Sequence, residues 1–259
     1  MHIQKIELIP IRYKVEPNVG LSSLANVIAK YAKAGDIAVV SSKVVSYCEG
    51  GLVKLADIKP SNRALRLSKQ YKIPPELAEL IVREADDILG GIERFILTLK
   101  FGMLCPNAGI DTSNVPEGYA ILYPENPQKS ADTLRNLVER RIDGRVGVVI
   151  SDSRILPLRR GVCGIAIATS GFEAIKDERG KPDLFGKPLR NTMRNLADML
   201  ASASQLLMGE ANEMIPIVIV RGLNVRFTEE KFRLTVDPKK CLYWGSLNGK
   251  VCWSDKSKP

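Results

Sequence analysis

Short apolar runs separated by turn-forming residues predict the strands of this chain. A first run ends at Pro10, and segment 93–100 alternates between polar and apolar residues as a half-buried strand does. The run 146–150 gives way at Ser151 to polar residues that include Asp152, so we expect these to follow a strand end. The runs that predict buried strands are residues 37–40, 146–150, 162–168 and 215–220.

Apolar residues at helical spacing predict five helices. Ser22 or Ser23 is expected to cap the first helix and Ser130 the fourth, because serine oxygens accept hydrogen bonds from the free N–H groups of a first turn. Ser41 and Lys43 are expected to lie in a hydroxyl-rich turn after a strand. The predicted helices cover residues 24–31, 61–70, 75–86, 130–142 and 191–208.

The order of these elements predicts the fold class. Strands and helices intermix without a strict alternation, which is typical of an α/β fold of the mixed-sheet α+β type. At 259 residues, the chain has room for one large domain or two small ones. Residues 246–259 are polar apart from 251–253, so we expect them to form a C-terminal tail.

Composition excludes several classes of protein. Hydrophobic residues make up 45% of the chain, which excludes a disordered polymer, and no apolar stretch reaches the ~18 residues that span a bilayer. The net charge of +9 is spread without long runs of one sign, which favours anionic ligands. The N-terminus lacks the apolar block of a signal peptide, so we expect a soluble, cytoplasmic protein with no membrane partner.

The inventory of reactive side chains narrows the chemistry further. The single histidine, His2, excludes histidine-based catalytic triads, and the five cysteines form no CxxC pair that would indicate a zinc site. Neither a P-loop nor a GxGxxG fingerprint occurs, and no stripe of aromatic and basic residues predicts nucleic-acid binding. Catalysis therefore depends on carboxylates, lysines, hydroxyls, cysteines or a bound metal.

Three acidic residues are placed where a carboxylate would face a crevice. Asp111 lies in a segment rich in Gly and Asn, Asp152 follows an apolar strand, and Glu210 follows a long helix and a glycine. Such carboxylates suit hard cations such as Mg²⁺ or Mn²⁺, with Ser153 or Thr112 completing the ligand shell. The alternatives are a capping role for Asp152 and a solvated loop position for Glu210.

Basic residues next to predicted strands are candidates for binding phosphate. Arg159 and Arg160 precede the apolar run 162–168, Lys43 follows a strand, and Arg221 ends one. Guanidinium groups and strand-end amides suit phosphate oxygens. The alternative for each of these residues is an ordinary surface charge.

A series of short motifs covers the chain from about Ile6 to Leu223. The motifs are Cys105-Pro106-Asn107-Ala108-Gly109-Ile110-Asp111 with Ser113-Asn114-Val115, Ser151-Asp152-Ser153, Arg159-Arg160-Gly161 with Gly164-Ile165-Ala166-Ile167, Asp183-Leu184-Phe185-Gly186, Leu206-Leu207-Met208-Gly209-Glu210, and Ile215-Pro216 with Val220-Arg221-Gly222-Leu223. In this order they resemble the coenzyme F420-0:L-glutamate ligases, which are GTP-dependent γ-glutamyl ligases.

The resemblance implies a fold, a set of substrates and a reaction. The fold is two-lobed and forms an intertwined homodimer, with residues 1–245 as the ligase-like domain. GTP phosphorylates the terminal carboxylate of F420-0, or of a related phosphorylated carboxylate, and the amine of L-glutamate then attacks the acyl phosphate. Two divalent cations, Mg²⁺ or Mn²⁺, are the implied cofactors, with K⁺ as a further candidate.

The resemblance also implies roles for individual residues at matched positions. Asp111, Asp152, Ser153 and Glu210 are expected to hold the metals, and Asp111, Asp152 and Arg160 to be catalytic. The residues expected to contact GTP are Ile9, Pro10, Ile11, Ser41, Ser42, Lys43, Asn114, Met208, Gly209, Asn212 and Ile215.

The chain departs from the family pattern at several of its substrate-facing positions. Tyr47 and Gly51 stand where the family has lysine and arginine, and Ile155 and Leu156 replace a Gly-Arg pair. The loop 211–214 contains no glycine. A lost lysine–phosphate contact costs about 1.5–3 kcal/mol, which weakens GTP binding. Two alternatives follow: a divergent paralogue that acts on another phosphorylated carboxylate, or a non-catalytic protein that binds nucleotide or deazaflavin.

Overall fold

The computed structural model describes residues 5–247 of the chain. His2, Cys252 and residues 248–259 of the expected tail lie outside this range. The strands are β1 (Glu7–Ile11), β2 (Ile37–Ser41), β3 (Leu52–Lys54), β4 (Asp87–Ile92), β5 (Phe95–Lys100), β6 (Met103–Pro106), β7 (Tyr119–Ile121), β8 (Gly147–Ile155), β9 (Val162–Ser170), β10 (Ile175–Asp177), β11 (Met193–Asn195) and β12 (Ile217–Arg221). The helices are α1 (Gly20–Ala29), α2 (Ser42–Glu49), α3 (Asn62–Tyr71), α4 (Pro75–Glu84), α5 (Pro127–Ile142), α6 (Leu196–Met208) and α7 (Leu242–Leu247).

A five-stranded mixed sheet in the order β1-β12-β2-β8-β9 forms the centre of the fold. The pair β2–β8 is parallel and the other three pairs are antiparallel, which confirms the mixed-sheet prediction. Three smaller antiparallel sheets are formed by β4-β5-β6, by β3-β7 and by β10-β11. Among the described helices, none combines the length and the apolar character needed to cross a membrane.

Both faces of the central sheet are covered, so its inner strands are apolar throughout. In β2, Ala38 and Val40 pack in one cluster with residues of α1 and α5, whereas Ile37 and Val39 pack in a second cluster with residues of α6. A third cluster joins α3 and α4 to β5 and includes Ile110. This third cluster fixes the backbone immediately before Asp111.

The prediction that a strand ends before Ser151 is wrong. Strand β8 continues to Ile155, and Asp152 pairs with Ile165 of β9. The pairing shifts register between Ile150 and Ser151, as a β-bulge does. Polar residues remain in the strand because β9 supplies their backbone partners.

A second correction concerns the segment after β2, which forms helix α2 instead of a turn. Ser41 is the extended residue before this helix, and Gly50 ends it in the left-handed conformation at φ 84°. Six of its eight residues are buried, including Ser46 and Tyr47. Its apolar residues at helical spacing are Val44, Val45, Tyr47 and Cys48. Because the helix covers only eight residues between a strand and a glycine turn, the sequence does not distinguish it from part of that turn.

Three predicted helix starts also differ from the structure. Ser22 and Ser23 lie inside α1 and Ser130 lies inside α5, which is capped by Asn126 through a 2.9 Å bond from the Lys129 N–H. Residues 191–195 are not helical, because β11 precedes α6. Asn195 is the last residue of β11 and also the N-cap of α6. The helix therefore begins at Leu196, five residues after the start that the sequence pattern predicts.

Candidate active site

A cleft of about 430 Å³ opens where the parallel pairing of β2 with β8 ends. Ser41, the last residue of β2, lies beside Ser151 of β8, so the residues that follow β2 and residues 151–153 within β8 enter the cleft together. Ligand sites of α/β proteins commonly lie at such an edge. The residues that line the cleft come from five segments: 13–15, 41–47, 109–123, 151–153 and 205–216.

Asp111 is held in the cleft by backbone and side-chain contacts. Its backbone exchanges two hydrogen bonds with Ile121, at 3.1 and 2.8 Å. The Lys43 ammonium lies 2.7 Å from the Asp111 carboxylate and also donates to the Ser113 carbonyl oxygen at 2.9 Å. Burial alone would raise the pKa of Asp111, but hydrogen bonds from Lys43 and Ser113 outweigh it and the pKa lies below its usual value.

Asp152 lies deeper in the cleft wall, with about a quarter of its side chain exposed. Its Oδ2 accepts a short hydrogen bond from the Tyr123 hydroxyl and a longer one, 3.4 Å, from Nε of Arg154. Burial raises the pKa of Asp152, the Arg154 charge opposes this rise, and the negative charge of Asp111 adds to it. The two carboxylates of Asp111 and Asp152 therefore repel each other across the cleft.

Glu210 reaches the cleft from the end of α6. Gly209 ends that helix with φ 68°, and Glu210 follows it directly. The Glu210 carboxylate accepts a 3.1 Å hydrogen bond from the Ser153 hydroxyl and a second bond from Gln205. Ser153 and Glu210, which belong to separate sequence motifs, are thus in direct contact.

Two loops meet across the mouth of the cleft. The side-chain amide of Asn114 donates to the Ala211 carbonyl oxygen at 2.9 Å, and the Tyr47 hydroxyl donates to the Asn114 carbonyl oxygen at 3.3 Å. Glu213 turns back to accept the Ala211 N–H at 2.8 Å. The loop 211–214 without glycine is therefore tied to the loop that contains Asn114.

Most of the residues expected from sequence to form the site line this one cleft. Arg160 does not, because it is exposed in the loop between β8 and β9. The expected residues found in the cleft lining are Ser41, Ser42, Lys43, Asp111, Asn114, Asp152, Ser153, Met208, Gly209, Glu210, Asn212 and Ile215.

Three residues of the first strand that were expected to contact GTP do not line the cleft. Ile9, Pro10 and Ile11 lie within β1, which pairs with β12, and Ile11 is buried in the core. Instead of these residues, segment 13–15 lines the cleft, and the Tyr13 N–H donates to the Met214 carbonyl oxygen at 3.0 Å.

Sequence reasoning also missed Tyr123 and Gln205. Their carboxylate partners, Asp152 and Glu210, are 29 and five positions away in the chain. Tyr123 ends an apolar run and resembles an ordinary core residue in sequence, so no local signal identifies it. Gln205 is four residues before Gly209, a spacing that places both at one helix end and that sequence could have revealed.

The oxygen donors of the cleft suit a hard divalent cation, although they do not form a compact acidic cluster. Within residues 5–247, no three His, Cys, Asp or Glu side chains come close enough together to hold one metal ion. Carboxylates and a hydroxyl, with no soft ligand, are nevertheless the donors that Mg²⁺ and Mn²⁺ prefer. A positive ion would also offset the repulsion between Asp111 and Asp152. Such an ion would need further oxygen ligands from outside these acids.

The fold and the cleft define an α/β protein with a polar ligand site at the end of a parallel strand pair. Comparison with known families identifies it further. The model of the family described as F420-0:gamma-glutamyl ligase matches residues 18–222, and the chain belongs to this family.

Individual relatives extend the match over nearly the whole chain. The coenzyme F420:L-glutamate ligase of Methanocaldococcus jannaschii is 40% identical over 239 residues, which are 92% of this chain and 96% of the relative. The protein of the same name from Methanopyrus kandleri is 42% identical over 222 residues, 85% of this chain and 87% of its own. That of Archaeoglobus fulgidus is 42% identical over 191 residues, 74% and 77% of the two chains.

Proposed function

We propose that this chain is a GTP-dependent ligase that joins L-glutamate through a γ-glutamyl amide bond to coenzyme F420-0. Membership of the family and the names of the relatives support the ligase activity. The observation that carries the proposal is that Asp111, Asp152, Ser153 and Glu210, from three distant parts of the chain, line a single cleft.

In this proposal, the acidic residues and Ser153 hold divalent Mg²⁺ or Mn²⁺, which when bound neutralises charge on the transferring phosphate. Lys43 lies in the same cleft and places a second kind of positive charge beside Asp111. Phosphoryl transfer depends on positioning and on charge neutralisation more than on a general base, so it does not require a histidine among the described residues of the cleft lining.

The nucleotide is proposed to bind near the start of α2. Ser41 and Ser42 lie at the N-terminus of this helix and line the cleft, and N-terminal N–H groups of a helix attract anions. The γ-phosphoryl group of GTP is transferred to the carboxylate of F420-0, which forms an acyl phosphate and releases GDP. The amine of L-glutamate then attacks the acyl phosphate, which forms the amide and releases phosphate.

The resemblance also leads us to propose a homodimer. Two connections between strands carry exposed apolar side chains. Leu158 lies between β8 and β9, and Leu184 and Phe185 lie between β10 and β11. All three are at least 87% exposed, and a second copy would cover them. Light scattering coupled to size-exclusion chromatography should give twice the chain mass of 28.6 kDa. A monomer at micromolar concentration would contradict this.

A ligase for another phosphorylated carboxylate is the second candidate. Tyr47 favours it, because its side chain lines the cleft at a position where the family has lysine, and its hydroxyl bonds to Asn114. The second candidate predicts that the enzyme uses GTP and L-glutamate but turns over F420-0 poorly.

A direct assay tests the proposal. Purified full-length protein is incubated with GTP, F420-0, L-glutamate and Mn²⁺ or Mg²⁺, and GDP and the mass of the acceptor are followed. We expect GDP and a γ-glutamyl product together. Asp152→Asn should abolish both, whereas Asp177→Asn, an exposed position outside the cleft, should leave the rate unchanged. Neither GDP nor product from the wild-type protein would exclude the ligase.

A further inference from the structure

Two buried side chains, those of Tyr123 and Arg154, contact the Asp152 carboxylate. Neither residue belongs to the sequence motifs described above. Tyr123 and Arg154 are only 7% and 4% exposed. The Tyr123 hydroxyl donates to Oδ2 of Asp152, and Nη2 of Arg154 donates to the Tyr123 oxygen at 3.0 Å. Arg154 also donates from Nε to the same Oδ2. The three residues form a closed set of hydrogen bonds.

Each member of this set is itself fixed by its surroundings. Nη1 of Arg154 donates to the Leu104 carbonyl oxygen at 3.2 Å, and its guanidinium lies over the Tyr123 ring, 5.8 Å from the ring centre. The ring of Phe101 stacks on the ring of Tyr123, with ring centres 6.4 Å apart. Buried polar groups with all these partners have little freedom to reorient.

Gly109 provides the space that Tyr123 occupies. A Cβ atom at position 109 would lie 2.0 Å from the Tyr123 ring, and the φ of Gly109 is +75°. Gly109 belongs to the same motif as Asp111. Gly109 thus contributes to the cleft by leaving room for Tyr123, which contacts Asp152 and not Asp111.

Within residues 5–247, every hydrogen bond to the Asp152 carboxylate is accepted by Oδ2. Oδ1 is therefore the oxygen left for a ligand in the cleft. We infer that Tyr123 and Arg154 are positioning residues: they hold Oδ2 of Asp152 so that Oδ1 is presented to the cleft in one fixed orientation. This inference deepens the proposed function, because it names what orients one of the proposed metal-binding carboxylates.

The variant Tyr123→Phe tests the inference because it keeps the ring and removes only the hydroxyl. In its crystal structure, the Asp152 carboxylate should rotate or occupy more than one orientation, whereas the wild-type carboxylate should show one. The same single orientation in both structures would overturn the inference, whether or not the protein binds a metal.

A second measurement follows Mn²⁺ binding by the full chain, with and without GTP, through the electron paramagnetic resonance signal of the free ion. Loss of a residue that orients a metal ligand typically weakens metal binding by about 10–100-fold. We expect this loss in Tyr123→Phe and a normal rate once Mn²⁺ is raised to saturation. Tyr31→Phe, an exposed hydroxyl outside the cleft, should change neither value.

The two measurements separate the possible failures. Wild-type protein that binds no Mn²⁺ would contradict the proposed function, while the crystallographic comparison would still decide the positioning role. Wild-type binding with unchanged affinity in Tyr123→Phe would overturn the inference and leave the ligase proposal intact. A fall in thermal stability without either change would show that the hydroxyl is merely structural, which also overturns the inference.

Discussion

Lys43 illustrates how much one side chain contributes to the cleft. Its ammonium contacts the Asp111 carboxylate, and it donates to both the carbonyl and the hydroxyl oxygen of Ser113 at 2.9 and 3.0 Å. It thereby fixes the loop that carries Asp111 relative to the start of α2. It also lowers the pKa of Asp111, so that this carboxylate stays charged although it is partly buried.

Replacement of Lys43 by methionine should reduce kcat/KM for GTP by about 10–100-fold, because charge-assisted hydrogen bonds of about 1.5–3 kcal/mol are lost. It should also raise the pKa of Asp111. Steady-state kinetics with varied GTP measure the first effect. Lys54→Met, an exposed residue on β3, is the control. An unchanged kcat/KM would show that Lys43 does not contribute to nucleotide use.

At the scale of elements, the position of Glu210 depends on how closely α6 packs on β9. Gly164 of β9 makes this approach possible, since a Cβ atom there would lie 2.3 Å from the Ala201 carbonyl oxygen of α6. The Ser202 hydroxyl donates to the Gly164 carbonyl oxygen at 2.7 Å. The clash would involve helix backbone, which cannot rotate aside as a side chain can.

Gly164→Ala should therefore lower the free energy of unfolding by about 1–3 kcal/mol through overpacking. Because α6 must move away from β9, the rate of ligation should fall as well. Urea denaturation and the ligation assay measure the two effects. Gly245→Ala in α7, where the nearest atom is 3.4 Å from the added Cβ, should not be destabilising. Equal stability of both variants would contradict the packing argument.

Helices α3 and α4 are joined by a buried carboxylate. Glu79 of α4 accepts the Ser61 N–H at 2.9 Å, just before α3, and Nε of Arg83 at 2.8 Å. Ser61 in turn caps α3 by accepting the Ala64 N–H. Hydrogen bonds from Ser61 and Arg83 lower the pKa of Glu79 from 4.5 to about 2.

The depressed pKa predicts how stability depends on pH. Because the folded state prefers ionised Glu79, the stabilisation is complete above about pH 4.5 and is lost as the pH falls toward about 2. Glu79→Gln should lower the free energy of unfolding at pH 7 by about 1–3 kcal/mol, and the deficit should shrink below pH 4.5. Urea titrations from pH 7 to pH 3 measure it, with Glu76→Gln as control. A deficit independent of pH would contradict this cause.

The whole molecule shows which features were accessible from the sequence. The buried strands could be predicted, because unbroken apolar runs are local signals. Asp111, Asp152 and Glu210, singled out from sequence, do line one cleft, and their role as metal ligands stays a prediction. Helix α2 was missed because its apolar pattern lies within only eight residues. The outer half of β8 could not be predicted, because Asp152 takes its partners from β9 and Tyr123, which are distant in the chain. The positions of segment 13–15 and Tyr123 in the cleft follow only from the packing of complete elements.

Because five separate segments line the cleft, a ligand there should stabilise the entire fold. GTP with Mn²⁺ at 100 times its dissociation constant should contribute about 2.7 kcal/mol, which corresponds to a rise in Tm of several degrees. Differential scanning calorimetry measures it. EDTA should remove the rise, and Asp152→Asn should not show it. A Tm that does not respond to GTP and Mn²⁺ would exclude tight binding of the pair.

The order of strands has a consequence for synthesis on the ribosome. The strand β12 lies between β1 and β2, yet it follows them by nearly two hundred residues. Until residues 217–221 have emerged, β1 has no neighbour in the sheet and β2 exposes an unpaired edge. Such edges promote aggregation of nascent chains. The protein therefore completes its central sheet only after residues 217–221 have been synthesised, and chaperones that shield apolar edges should bind it until then.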